Sequence, residues 1–452
     1  MTTLLWFRQD LRLQDNPALT AACADGDVVP VYILDDDTPG DRRMGGAQRW
    51  WLHHSLARFK EALPGLILRR GDCAAQLAAL ASETGATRIH ANRQYEPWWQ
   101  EADSAVAADF DLVLHHGNQL APPASVLTGN GTRYRVFTPW WKQLLTQMPP
   151  RKPLPVPPLP ARPAGIASDA LEDWDLRPTR PDWSGGFACW TPGEEGARVA
   201  LRDFLPHLTA YDDARNFPAS PGISRLSPHL HFGEISPATI WHVATKEAGE
   251  AAAPFLREVG WRDYATNLID QMPDYHLRNG KAPYDAFPWR SGAQADADFA
   301  AWARGMTGYP IVDAGMRELW ATGFMHNRVR MIAASFLIKH LLIDWRRGER
   351  WFWDTLLDAD HGANASNWQW VAGTGVDAPL FSRIMAPLGQ SEKFDAGDYI
   401  RRWVPELAAL SDPYIHDPGT YGCRPASYPQ KRIDHRAARE RALEAMRQTR
   451  DG

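Results

Sequence analysis

A change of period along the chain constrains its fold more than any other feature. The first 120 residues carry short apolar runs at Thr3–Phe7, Val28–Leu34, Leu66–Leu68, Arg88–Ala91 and Leu112–Leu114. Segments with helical spacing, such as Ala47–Leu63 and Ala74–Ser82, lie between them. Strands alternating with helices predict a parallel sheet covered on both faces. The alternation stops at Met148–Ala164, which holds eight prolines between Pro149 and Pro163. Proline removes backbone donors and favours extended chain, so this stretch predicts a linker, and a long connection continues through Trp190. Beyond it the spacing turns almost wholly helical, over Glu194–Phe204, Pro237–Ala248, Ala253–Ile269, Asp313–Thr322, Asn327–His340 and Trp351–Leu357. The expected class is α/β: a doubly wound, Rossmann-like parallel-sheet domain over 1–130, a Pro-rich linker over 131–194 and an all-α domain over 195–452.

A length of 452 residues exceeds one compact core, in line with two domains. The longest apolar runs, such as Met331–Ile338, are too short to cross a bilayer, so no membrane partner is expected. Met1 leads straight into a strand-like run rather than a secretion signal. Cys23, Cys73, Cys189 and Cys423 lie far apart, which argues against a disulfide framework or a metal site and fits a reducing cytoplasm. No G-x-G-x-x-G or P-loop pattern follows a strand. A net charge of −5 argues against nucleic acid only weakly, because backbone binding needs just a local basic patch. The 21 tryptophans exceed ordinary core use and invite stacking or electron transfer, although core filling explains most of them.

Chemistry concentrates in four clusters. Asp358-Ala359-Asp360 precedes Asn364, Trp368 and Trp370. On a helix, Asn364 and Trp368 share a face, whereas Trp370 lies about 200° further round than Trp368. One helix can thus offer an amide and an indole to one pocket and a second indole to another; a buried, acid-capped helix explains the same pattern. Glu258, Trp261 and Arg262 form one helical stripe. In Asn327-Arg328-x-Arg330-Met331, Asn327 and Met331 share a face and Arg330 turns away from Arg328. Charges in such apolar helices need partners, and Arg330 with Asp358 is the natural pair, catalytic or merely structural. Finally, Ile223-Ser224-Arg225-Leu226-Ser227, leading to Ser236-Pro237, suits a phosphate group at helix starts, as do two plain N-caps. The tail, Lys431–Arg450, reads as an amphipathic helix with a solvated basic face.

Taken together, LLWFRQDLRLQDNPAL, Tyr134–Lys142, Ser224–Ser236, Thr307–Arg317, Gly323–Arg328, Leu342–Trp345 and Asn367–Trp370 resemble the photolyase/cryptochrome family from end to end. The resemblance is nearest to class I enzymes that repair cyclobutane pyrimidine dimers in DNA. It implies FAD in the helical half, with Tyr211 and Ile223–Ser227 at the phosphates. Phe255 and Asp358–Asp360 would flank adenine and ribityl, Arg330 would pair with Asp358 beside the flavin ring, and Asn364 would face its N5. Similar photolyases carry Asn there and plant-type cryptochromes Asp. Trp368, Trp345 and Trp289 match inner, middle and outer members of an electron-transfer chain, with Trp302 outside it. Glu258, Trp261 and Trp370 match lesion-pocket positions, Asn327 and Arg328 match DNA-contacting positions, and Met331 matches the methionine typical of cyclobutane-dimer enzymes. Arg262 joins them in the DNA-facing set, and Arg215, Arg383 and Gln390 match positions near the strand backbone. A flipped dimer would stack in an aromatic slot of Trp261 and Trp370. The implied partner is DNA containing pyrimidine dimers, met by a monomer, and the chemistry belongs to the cofactor.

Two departures stand out. Ile223 replaces a usual threonine, removing one phosphate contact. At Trp99 folate-binding members use a glutamate, so the identity and presence of a second, antenna chromophore stay open. Phe324 stands where tryptophan is frequent. The rival reading is a cryptochrome-like photoreceptor, opposed by Asn364, Trp370 and the lack of a long C-terminal extension. A light-independent α/β nucleotide-binding enzyme is the third, with only the sheet pattern in its favour.

Overall fold

All five strands form, as β1 (Thr2–Phe7), β2 (Asp27–Leu34), β3 (Ile67–Arg70), β4 (Arg88–Asn92) and β5 (Asp111–His115), in a computed structural model that describes residues 2–161 and 165–451. They pair in parallel in the order β3-β2-β1-β4-β5. Central β1 reads as a continuous apolar run because it is buried on both faces, and Leu4, Leu5, Trp6 and Phe7 are all solvent-free. Leu77 and Leu80 of the Cys73–Thr84 helix close one face of the core with Val29, Val31 and Ile89. The spacing overlooked two helices, Pro17–Asp25 and Pro97–Asp109. Each starts with proline at its first turn, where the missing N–H has no intrahelical role.

The chain divides into two compact units that interleave along the sequence. The first comprises Met1–Trp183, Ala188–Thr209 and Ser224–Pro273; the second comprises Ser184–Phe187, Ala210–Ile223 and Asp274–Gly452. The expected partition was linear, with bounds at 130 and 194. Apart from Ser184–Phe187, the described part of the expected linker is tied into the sheet unit: Asp169 N donates to Leu68 O at 2.9 Å, and Leu154 N to Asp15 Oδ1 at 3.0 Å. Trp174 packs against Tyr32. Residues 162–164 of that linker, Pro163 included, lie outside the described residues. The helices Pro237–Ala248 and Ala253–Gln271 also belong to the sheet unit, where Arg133 pairs with Asp270 and Leu120 N donates to Asp263 Oδ2.

The second unit is helical. Its site-bearing helices are Asn327–Ser335, Trp345–Thr355 and His361–Ala372, the last of which packs on each of the other two. The Trp345 helix starts six residues before the expected Trp351, because Asp344 caps it by accepting from Arg346 N. The expected continuous helix to His340 instead ends at Ser335 and passes into a π-turn over Phe336–His340. The terminal helix, His435–Asp451, is solvated over Arg436 and Arg447 but docks by its other side. There Ala438 and Ala442 are buried, Arg441 donates to His340 O, and the His340 and His435 rings share a 2.8 Å hydrogen bond.

Candidate functional site

The His361–Ala372 helix organises the candidate site of the helical unit. Asp360 caps it, its Oδ1 accepting from Ala363 N at 2.7 Å, which fixes where the helix begins and thus which way each later side chain points. Asn364 and Trp368 are buried on one face, while Trp370 is half-buried, as their spacing predicts. Asn364 Nδ2 donates to Glu349 O at 2.9 Å and Glu349 Oε1 at 2.8 Å. Its amide is therefore oriented, and Oδ1 is the atom left to accept a donor. Gly348 makes room for the Trp368 indole; a Cβ there would lie 2.2 Å from the ring.

Arg330 and Asp358 meet as expected. The guanidinium makes two parallel bonds to the carboxylate, at 3.1 and 2.9 Å, and a third from Nε to Met325 O at 2.7 Å. Such a fork is geometrically specific, and the Asp358 side chain is 5% exposed, so the pair is fixed rather than a loose surface bridge. Ala359 is buried next to it. Ahead of Arg330, His326 caps the Asn327–Ser335 helix by accepting from Arg328 N through Nδ1. Burial, with Arg328 and Arg330 nearby, lowers its pKa to about 4, which keeps the ring neutral and able to accept.

Arg328 turns the other way, into a groove of about 680 Å³ lined by Asn216, Arg328, Arg383, Gln390, Lys393 and Phe394 among others. Its guanidinium lies 4.5 Å from the Phe394 ring and bonds Asn216 Oδ1. Arg383 is exposed and sits 5.6 Å from the Trp370 ring, so a cation covers the indole expected to stack on a base. Met331 lies beside Arg328, and Asn327 is exposed on the same helix. Arg215 is placed over Tyr211 at 5.7 Å and is not among the groove's lining residues. The sequence reading missed Lys393, Phe394 and Lys339. Lys339 is buried in the π-turn and donates to Arg383 O at 2.7 Å, anchoring the segment that carries Arg383.

Trp345, which bonds Asn279, Trp289, which packs on Phe287, and Ile223 also lie in the helical unit, and the other expected residues sit in the sheet unit. Trp261 is stacked on Phe137, with centroids 3.5 Å apart and planes within 8°, so one of its faces is already covered and braced. Glu258 lies one turn before it, half-buried. The half-buried Arg262 donates from its guanidinium to Asn118 O at 2.5 Å and Leu230 O at 3.4 Å, so it holds backbone carbonyls. Phe255 is buried against Phe204. Ser236 is a plain N-cap, accepting from Thr239 N at 3.0 Å. Ser227, by contrast, is not a cap but the exposed first residue of its helix, and Ser224 Oγ accepts from Leu226 N. Arg225 adopts φ 55°, a strained conformation for a residue with a Cβ, and lays its guanidinium over Trp190 at 3.9 Å. Trp99 packs edge-on to Trp6 under Arg8, filling the sheet's core.

Residues 3–161 match the DNA photolyase family, and residues 255–448 match the FAD binding domain of DNA photolyase. A deoxyribodipyrimidine photo-lyase of Agrobacterium fabrum is 47% identical over 470 residues, spanning 98% of this chain and 97% of that protein. The chain belongs to the DNA photolyase family. FAD is accordingly its cofactor, and it is an enzyme. Among photolyases of known structure, a class III enzyme from Agrobacterium tumefaciens has a TM-score of 0.94 at 46% identity, covering 100% of this chain and 98% of that one. An archaeal photolyase from Sulfolobus tokodaii, described with two FAD molecules and a novel light-harvesting cofactor, has a TM-score of 0.82 at 28% identity, covering 99% and 100%. Cryptochrome-2 of Arabidopsis thaliana is also similar, 36% identical over 447 residues, spanning 92% of this chain and 72% of that protein.

The residues of the helical unit suit the cofactor of this family. A flavin ring presents both donors and acceptors on one edge and a flat apolar face. Asn364 offers an oriented acceptor, the Arg330–Asp358 fork an opposed pair of charges, and Trp368 a buried indole.

Proposed function

We propose that this enzyme repairs cyclobutane pyrimidine dimers in DNA by light-driven electron transfer from reduced FAD. The observation that carries the reading is the division of labour on the His361–Ala372 helix. Its buried face holds an oriented amide and an indole, and Trp370 on the other side lies under Arg383, next to a groove bearing Arg328, Arg383, Gln390 and Lys393. The cofactor supplies the excited electron that opens the cyclobutane ring. The protein supplies placement and electrostatics.

Asn364 Oδ1 would accept a hydrogen bond from the flavin's N5 edge, and Glu349, by fixing Nδ2, keeps the acceptor turned outward. A carboxylate at this position would repel an anionic reduced flavin, whereas an amide adds no charge. Arg330 and Asp358 would sit beside the ring, with Asp360 at the ribityl. Tyr211 and Ile223–Ser227 would hold the phosphates, and Phe255 would hold adenine. Trp370 and the free face of Trp261 would take the flipped lesion, with Glu258 hydrogen-bonding pyrimidine edges. Met331 would line that pocket, and Asn327 would contact the DNA. Arg215, Arg328, Arg383 and Gln390 would follow the strand; their cations make affinity fall with added salt. Trp289, Trp345 and Trp368 would reload the flavin with electrons. A dimer already interrupts stacking, so flipping it costs less than flipping an intact pair. A monomer in the cytoplasm completes the reading.

The test is repair of oligonucleotides carrying either a cyclobutane dimer or a (6-4) lesion, in light and in darkness. Restoration of the cyclobutane substrate alone, in light alone, is expected. Repair of the (6-4) lesion alone would reassign the substrate. No repair of either by flavin-loaded, reduced protein would favour the photoreceptor reading, which the plant relatives keep alive.

A further inference from the structure

We propose that Lys339 is a positioning residue for the DNA strand: through its bond to the backbone carbonyl of Arg383 it holds that guanidinium in place over Trp370. The proposal rests on the reading that Arg383 contacts the strand backbone. Lys339 lies in the π-turn Phe336–His340 and is 2% exposed. Its amino group carries up to three donors, yet among the described residues its one hydrogen bond runs to Arg383 O at 2.7 Å, with the Phe381 ring 5.3 Å away. No carboxylate among the described residues pairs with it. For packing alone, a methionine of similar length would fill the space without a buried charge. What the lysine adds is a grip on one carbonyl.

That grip falls where the segment has little else to hold it. Ahead of Arg383 the chain is pinned: Lys281 Nζ donates to Ala378 O at 2.9 Å, and solvent-free Phe381 packs on Phe287 at 4.9 Å and Tyr284 at 6.1 Å. Beyond Phe381 the backbone bonds are local, Arg383 N to Leu380 O at 3.1 Å and Ile384 N to Ser382 O at 2.9 Å. Among the described residues, 382–386 make one hydrogen bond to a remote element, and Lys339 donates it. The turn that carries the lysine is braced from behind, since Arg441 of the terminal helix donates to His340 O at 2.6 Å. Arg383, itself exposed, is thereby placed 5.6 Å from the Trp370 ring at the edge of the groove.

The arrangement gives strand binding a dependence on pH. Burial first, and then the Arg383 cation, bring the Lys339 pKa down to about 7. Beside it in the turn, burial pushes His340 down to about 3, and on the terminal helix burial also lowers His435, which bonds His340. Both rings are therefore neutral where the lysine titrates, and the Arg441 charge does not change there. On the two other helices packed against the turn, Arg330 pairs with Asp358, Arg346 with Asp344 and Arg347 with Asp296. A phosphate on Arg383 offsets the cation that opposes protonation, so Lys339 takes up a proton as the strand binds. By linkage, affinity is highest below pH 7 and falls as pH rises through it.

The experiment titrates flavin-loaded protein in darkness with a fluorescent single-stranded oligonucleotide carrying one cyclobutane dimer. It compares the unaltered chain, Lys339→Met, Arg383→Gln and the double variant at pH 6.5 and 8.5. Lys339→Met should weaken binding about fivefold at pH 6.5, as expected when a charge-assisted contact is misplaced. On the Arg383→Gln background the same substitution should change little, because residues that act as one unit do not add. Between the two pH values the unaltered chain should lose about threefold more affinity than Arg383→Gln. That last comparison needs no change at Lys339 and stands even where Lys339→Met misfolds. An equal loss from Lys339→Met on both backgrounds would make Lys339 a general support of the fold and overturn the proposal. Unchanged affinity of Lys339→Met, or equal pH dependence of the unaltered chain and Arg383→Gln, would overturn it too. Arg383→Gln binding as tightly as the unaltered chain would instead remove Arg383 from the strand, and the proposal with it.

Discussion

Trp370 is one indole with two neighbours of opposite character, a buried helix behind it and the Arg383 cation over its ring. Stacking of a base on an aromatic side chain is worth about 1–3 kcal/mol, so Trp370→Ala should weaken binding of dimer-containing DNA by that amount. A fluorescence titration checks it, and unchanged affinity would remove Trp370 from the lesion pocket. At this scale the sequence was informative where one rule governed one residue. A guanidinium buried in apolar helices must pair, and Arg330 does so with Asp358. It was uninformative where the partner is remote. Arg262 needs a partner by the same rule, but its own stretch does not name one, and only folding brings Asn118, 144 residues away, under its guanidinium. Glu349 likewise gives no local sign that it aims the Asn364 amide.

The π-turn over Phe336–His340 shows what an element can hide. Its apolar run continues the preceding helical spacing, so nothing in the period marks the extra residue, yet the turn carries Lys339 inward to Arg383 O and Phe381. Burial, with the Arg383 cation adding to it, brings the Lys339 pKa down to about 7. In the unfolded chain the same ammonium titrates near 10.4, roughly. Between those values the unfolded state binds more protons, so Lys339 makes stability rise with pH above about 7, by at most about 1.4 kcal/mol per unit. The cost of burying its charge is therefore fully felt below that range. Urea unfolding of the protein and Lys339→Met at pH 6, 7.5 and 9 should show the variant's relative advantage at pH 6 shrinking as pH rises. A constant difference would mean that Lys339 does not titrate in this window.

At the scale of the whole chain, the two periods announced a parallel sheet followed by helices, and both exist. The interleaving of the two units was not legible. Pro237–Ala248 and Ala253–Gln271 simply continue the helical period, and only long-range contacts assign them to the sheet unit, such as Arg133 to Asn267 and Tyr264 to Arg135 O for the second helix. Family membership was legible because many motifs recur in order, whereas lesion choice depends on pocket shape that no motif specifies. The account stands on the placement of the flavin against the His361–Ala372 helix. A crystal structure of the flavin-loaded protein tests that directly. It should show the isoalloxazine N5 within hydrogen-bond reach of Asn364 Oδ1, with Arg330 and Asp358 beside the ring. Density for the ring elsewhere, with the Asn364 amide facing only protein, would contradict it.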